Sequence, residues 1–161
     1  MGVPKEIHAK GARALAIIVT GGIIMGCSGK PPSTLGVRDG MLAPCPSSPN
    51  CVSTRSGDPR HAIAPFAYTG TAAEARERLL SALRAAKRCR VVTADQIYIH
   101  AEFTSALFRF VDDVEFQIDP DARLVHFRSA SRVGHSDLGV NRKRMEALRA
   151  SFDRSAGAEG R

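Results

Sequence analysis

Three short stretches in which apolar and polar residues alternate constrain this chain more than anything else in it. "IYIHAEF" (97–103) puts Ile97, Ile99, Ala101 and Phe103 on one side and Tyr98, His100 and Glu102 on the other. "DVEFQI" (113–118) repeats the pattern through Val114, Phe116 and Ile118, and "LVHFRS" (124–129) through Val125 and Phe127. A period of two is that of a strand with one buried face. "DPDAR" between the second and third stretches reads as a turn, and strands joined by short turns are antiparallel, because parallel pairs need long crossovers. With a further strand at "RVV" (90–92), the sheet has about four strands.

Each strand leaves an apolar face to be covered, and two amphipathic helices flank the set. "TAAE" is a capping box, Thr71 with Glu74, opening a helix over 72–87 that carries Ala75, Leu79, Ala82, Leu83 and Ala86 at helical spacing. Asn141, Met145, Leu148 and Phe152 form one stripe on a helix over 137–152. The expected fold is α+β: a two-layer sandwich in which two amphipathic helices cover a mostly antiparallel sheet. Trp is absent and aromatics are 6% of the chain, so the core must be largely aliphatic.

The N-terminal part reads differently. "MGVPKEIHAKGAR" is positively charged, "ALAIIVTGGIIMG" is an apolar run of thirteen residues, and Cys27 follows. The run is too short to span a bilayer, which takes roughly 20 residues, but it has the plan of a secretory leader. "IMGC" resembles a bacterial lipobox, with cleavage after Gly26 and diacylglycerol on the Cys27 thiol; Met25 departs from the usual residue there. The expected organisation is a lipoprotein-type signal peptide at 1–26, a lipid-anchored flexible linker at 27–40, the domain at 41–155 and a disordered tail at 156–161. Removing 1–26 takes away three basic residues and Glu6, so the net charge falls from +7 to +5 (7 − 3 + 1). Ser28 after the cysteine is compatible with passage to an outer membrane. The expected location is therefore the bacterial envelope, facing the periplasm, with membrane lipid as the first partner. The basic balance permits an anionic ligand. Nucleic acid is disfavoured by export and by the lack of aromatic positions between basic residues.

Residues 41–69 hold five prolines, which exclude a helix or a central strand. Within them Cys45 and Cys51 enclose five residues. In an exported chain this pair reads as a disulfide; the alternative adds His61 to make a metal site, at a spacing wider than a zinc knuckle. Cys89 has no local partner and reads as a free buried thiol.

Two stretches carry candidate chemistry. In "FRFVDDVEF" (108–116) Asp112, Asp113 and Glu115 lie close together. Paired carboxylates can divide acid and base roles, or form a charge ladder on a solvated face. In "SASRVGHSDLGVNRKR" (129–144) Ser136 or Asp137 can cap the last helix. Its free N–H groups, with nearby arginines, form a candidate anion site from Arg128, Ser129, Ser131, Arg132, Ser136, Asn141 and Arg142; Asp137 competes for the same positive helix end. Asn141, on the buried stripe, must find backbone partners. Arg128 and Arg132 lean toward Asp113 and Glu115, with Arg132 expected in an exposed ion pair. His135 reads as a surface loop histidine.

"PCPSSPNCVST", "FRFVDDVEF" and "RSASRVGHSDLGVNRKRMEALR", in that order and spacing, resemble the domain-of-unknown-function family 1499 over about residues 41–152. The resemblance implies that the cysteine pair, the acidic strand and the Ser/Arg loop are family hallmarks. It implies no activity and no cofactor. His135 stands where the family pattern favours Tyr. No GxSxG elbow, HExxH or phosphate-binding loop is present. The leading expectation is a membrane-tethered binding or envelope-maintenance module with no catalytic residues and no metal, holding a small anion or an envelope protein. The alternative is an acid–base hydrolase using Asp112, Asp113 or Glu115 with His100.

Overall fold

The structure, a computed structural model, describes Gly2 and residues 29–158 of the 161-residue chain. The expected leader and the lipidation at Cys27 lie outside the described residues. The elements run β1 (Val37–Arg38), β2 (Met41–Leu42), β3 (Cys51–Ser53), β4 (Phe66–Ala67), α1 (Ala72–Ala85), β5 (Cys89–Ala94), β6 (Tyr98–Thr104), β7 (Val111–Asp119), β8 (Leu124–Ser131) and α2 (Val140–Ala158).

The alternating stretches form the antiparallel meander β5-β6-β7-β8 that the short turns dictate. The sheet has six strands rather than about four, because β3 and β4 both pair antiparallel with β8. These two come from the proline-rich segment. They are three and two residues long, too short for alternation to show, and the segment's prolines flank them at the sheet edge, where no ladder donor is lost. Ile97 does not join the inward face; it lies outside β6 and is 48% exposed.

The inner face carries Ile99, Ala101 and Phe103, then Val114, Phe116 and Ile118, then Val125 and Phe127, all buried under α1 and α2. Phe66 of β4 sits between sheet and helix, its ring centroid 4.8 Å from Phe127 and 5.5 Å from Phe152. The capping box of α1 forms as the spacing required. Thr71 Oγ1 accepts from Glu74 N, and Glu74 Oε2 accepts from Thr71 N at 2.7 Å. Gly70, at φ +82, precedes it; a Cβ there would lie 2.4 Å from Glu74 Oε2, so the box needs glycine at this point. α2 begins at Val140, three residues later than expected. Asp137 closes the loop before it, accepting from Gly139 N and from Asn141 N at 2.7 Å.

The outer face is where the fold departs most from a half-solvated sheet. Gly29 passes against the residues just beyond β8, where a Cβ on it would lie 3.0 Å from Arg132 Cβ. Part of the stretch read as a flexible linker is the β1–β2 hairpin, docked on β7: Gly36 N donates to Glu115 Oε1 at 2.7 Å, and Gln117 Nε2 donates to Gly40 O at 2.8 Å. The segment up to His61 continues the cover, so His100, Asp113, Glu115 and Arg128 are buried although they face away from the helices.

Candidate functional site

The outer face of β6, β7 and β8 concentrates charge because alternation puts every second residue there. The register places Glu102 opposite Asp113 and Glu115 opposite Arg128. Two carboxylates directly opposed repel. Arg132, one residue past β8, resolves the repulsion: Nε donates to Asp113 Oδ2 at 2.8 Å, and Nη2 donates to Asp113 Oδ1 at 2.7 Å and to Glu102 Oε1 at 2.5 Å. Arg90 binds the other oxygen of Glu102, and His100 Nε2 lies 2.8 Å from Asp113 Oδ1. The Arg132 side chain is only 5% exposed, so the expectation of an exposed ion pair is wrong; the covering segment has desolvated it.

Electrostatics follow the geometry. Burial pushes the Asp113 carboxyl up, but Arg132 and His100 outweigh burial and hold it below the ordinary carboxylate value. Glu102 is likewise pushed up by burial and held down more strongly by Arg132 and Arg90. Glu115 is fully buried. Its Oε1 accepts from Tyr98 Oη at 2.9 Å and from Gly36 N, and its Oε2 faces Arg128 Nη1 at 3.4 Å. Burial first, then the Glu115 charge, raises the Tyr98 phenol well above its usual value, so Tyr98 acts as a donor here.

The acidic trio does not form one cluster. Asp112 points to the helix face, where Arg144 of α2 pairs with it. The same guanidinium donates to Asn141 Oδ1 at 2.6 Å and to Ser129 Oγ at 3.2 Å. Asn141 is fully buried and satisfied: Ser129 donates to its oxygen, and its Nδ2 donates to Asn50 O at 3.0 Å and Ser131 Oγ at 3.1 Å. The anticipated backbone partner therefore exists, but the disulfide segment supplies it.

The seven residues proposed for an anion site are divided in the same way. Arg128, Ser131 and Arg132 line a cavity of about 310 Å³ with Lys30, Asn50 and Gly134. Ser129 and Asn141 sit on the opposite face, Ser136 is exposed in the loop, and Arg142 turns away to the carbonyls of Arg60 and Ala62. The helix start is taken by Asp137, the competing outcome. Arg128 is 6% exposed, and its Nε has no hydrogen-bond partner among the described residues. A buried guanidinium N–H without an acceptor is costly and uncommon.

Cys45 and Cys51 are joined, with S–S 2.03 Å and Cα–Cα 5.7 Å. The bond consumes both thiols, so the metal alternative with His61 lacks its sulfur ligands; His61 instead places Nδ1 2.8 Å from Cys51 O. Cys89 is a free thiol, and burial pushes it up to about 11. His135 is exposed in the loop.

Sequence reasoning missed Arg144, Tyr98 and Gly36 as members of these networks. Arg144 was the accessible one: it lies three residues beyond Asn141 and so shares its helix face. Gly36 carried no signal, because its role depends on a hairpin folding back across the sheet.

The model of a protein family of unknown function, DUF1499, matches residues 41–152, well over half of the chain. No curated protein and no solved structure matches it.

Proposed function

The chain belongs to the DUF1499 family, and from that premise we propose that it is a membrane-tethered envelope module that binds a small oxyanion, phosphate or carboxylate, in the cavity at Arg128. The observation that carries this reading is the polar cavity lined by Lys30, Arg128 and Arg132, behind whose wall the Arg128 Nε–H is buried with no acceptor among the described residues. An oxyanion in the cavity meets the Arg128 guanidinium, and a small rotation of that side chain gives its Nε–H the missing acceptor in a charge-assisted hydrogen bond. Lys30, exposed at the cavity mouth, adds a second positive charge. Arg132 is spent on Asp113 and Glu102, so it shapes the wall more than it attracts the ligand.

The tether is the lipidated Cys27, supported by the charged head, short apolar run and "IMGC" of the sequence. The intact mass of protein extracted from membranes checks it: a chain beginning at a diacylated Cys27 is expected, and a different start or an unmodified cysteine ends this part of the reading.

Anion binding is checked by thermal unfolding of the full chain in inorganic phosphate against chloride of matched ionic strength. At about ten times Kd, phosphate adds roughly 1.4 kcal/mol. Arg128→Lys keeps a charge beside Glu115 but lacks the Nε–H, and should lose this increment. Because phosphate also stabilises proteins by exclusion from their surfaces, an equal increment in both proteins would refute the site.

The hydrolase reading draws on the 2.8 Å contact of His100 with Asp113, which is how a carboxylate orients an imidazole base. Against it, Asp112 faces the other side of the sheet, and Arg132 holds Asp113 ionised, so neither serves as a general acid beside His100. Hydrolysis of an ester or phosphoester that His100→Asn abolishes would restore it.

A further inference from the structure

On the opposite side of the sheet from Arg128, the end of α1, one side of α2 and the end of β6 border a groove of about 710 Å³. This is within the size range of small-molecule sites. Its floor is carbon, Ala82, Ala86, Phe103 and Leu148, with Ala106 and Ala147 exposed along its sides. Alanine at the facing helix positions keeps the groove deep, since larger side chains there would close it.

The rim is of one sign. Lys87, Arg88, Lys143 and Arg154 border the groove, and none has a carboxylate partner among the described residues. Asp112, the acid of the lining, is already neutralised by Arg144, whose guanidinium also lies 4.8 Å over the Phe103 ring. Arg88 reaches the rim from a left-handed backbone, φ 56, a conformation that glycine or asparagine usually supplies after a helix. The loop that leaves the groove at Ala106 continues into Leu107 and Phe108, 79% and 61% exposed.

We infer that this groove binds a single-chain anionic amphiphile, its hydrocarbon chain along the alanine floor and its carboxylate or phosphate head against the rim cations. Charge complementarity selects this occupant. A neutral apolar partner leaves four cations at the rim without counter-charge, and a free oxyanion leaves the carbon floor in water. The site is independent of the Arg128 cavity and stands whether or not that cavity binds an anion.

The test is photolabelling of the full chain with a diazirine-bearing palmitate, followed by peptide mapping. Adducts are expected on peptides spanning 82–88 and 140–154, competed by excess palmitate but not by hexadecanol or inorganic phosphate. Ala147→Trp fills the groove from an exposed position, and Lys143→Glu reverses one rim charge. Each should lower labelling about tenfold, as a loss of roughly 1.4 kcal/mol does, while circular dichroism shows both folded. Labelling spread outside these peptides, equal competition by hexadecanol, or labelling unchanged in the folded variants would overturn the proposal. So would a dimer in sedimentation that Ala147→Trp dissolves, since the groove would then be a self-association face. Should either variant fail to fold, the other decides.

Discussion

At the scale of single residues, Arg132 shows how burial changes the worth of an interaction. Spacing alone placed it near the acidic strand, and it is there. Exposed, such a pair contributes at most about 1 kcal/mol. With its side chain 5% exposed and two opposed carboxylates depending on it, removal leaves uncompensated buried charge. Arg132→Ala is therefore expected to cost about 3–5 kcal/mol in urea unfolding, and Glu102→Gln in the same background should recover part of the loss by removing one of the repelling charges. A loss below about 1 kcal/mol would mean that the pair behaves as a solvated one. Arg128, four residues earlier, was equally legible as a basic residue at the strand end. Its Nε, unpartnered among the described residues, was not, because that property depends on what the covering segment offers it.

At the scale of elements, β7 is a two-sided device. Asp112 serves the helix layer through Arg144, whereas Asp113 and Glu115 serve the outer network. Alternation states this division in advance, since neighbouring residues of a strand point opposite ways: it puts Asp113 and Glu115 on one face, with Arg128 opposite on the next strand, and Asp112 on the other. α2 is tied to the disulfide segment by Asn141, whose amide reaches Asn50 O across the end of β8. Asn141→Ala removes one of two donors to the Asn50 carbonyl, which keeps Ser131 N, and takes an acceptor from the Ser129 hydroxyl and from Arg144. It should lower stability by about 1–3 kcal/mol, with or without phosphate, as read by chemical denaturation. The two extra strands mark where pattern reading stops: β3 and β4 are defined by the residues of β8 they pair with, not by any periodicity of their own.

For the molecule as a whole, the charged outer face sets the response to acid. Asp113 and Glu102 titrate lower in the folded protein than their ordinary values. The unfolded chain therefore takes up protons first. Their contribution is complete above the unfolded carboxylate pKa, near 4, and is lost as pH falls through the folded values. His126 is also lowered, by burial and then by the charge of Arg55. The unfolded histidine protonates first, so this contribution is complete above about 6.5 and declines below it. Stability against urea should thus hold level near neutrality, decline gently below about pH 6.5 and steeply below about pH 4. His126→Asn should remove the first decline and leave the second. A single carboxylate-range transition in the unsubstituted protein would show that His126 is not desolvated.

What the sequence by itself determined is whatever depends on local period and chain connectivity: the four-strand meander, the two covering helices, the capping box, the inward apolar residues and the side on which each strand residue falls. A strand or helix repeats its environment every two or 3.6 residues, so those environments are written into composition along the chain. Only the tertiary structure decided what lies over the outer face. Residues 29–62 have no period, and their path is set by contacts with residues far along the chain, such as Gly36 with Glu115 and Asn50 with Asn141. That cover turns a solvated charge ladder into a buried network, enlarges the sheet to six strands and encloses the Arg128 cavity. The groove between α1 and α2 was hidden for the same reason: the alanines of the two helices that line it read as ordinary helix formers until the packed elements left the space beside them unfilled.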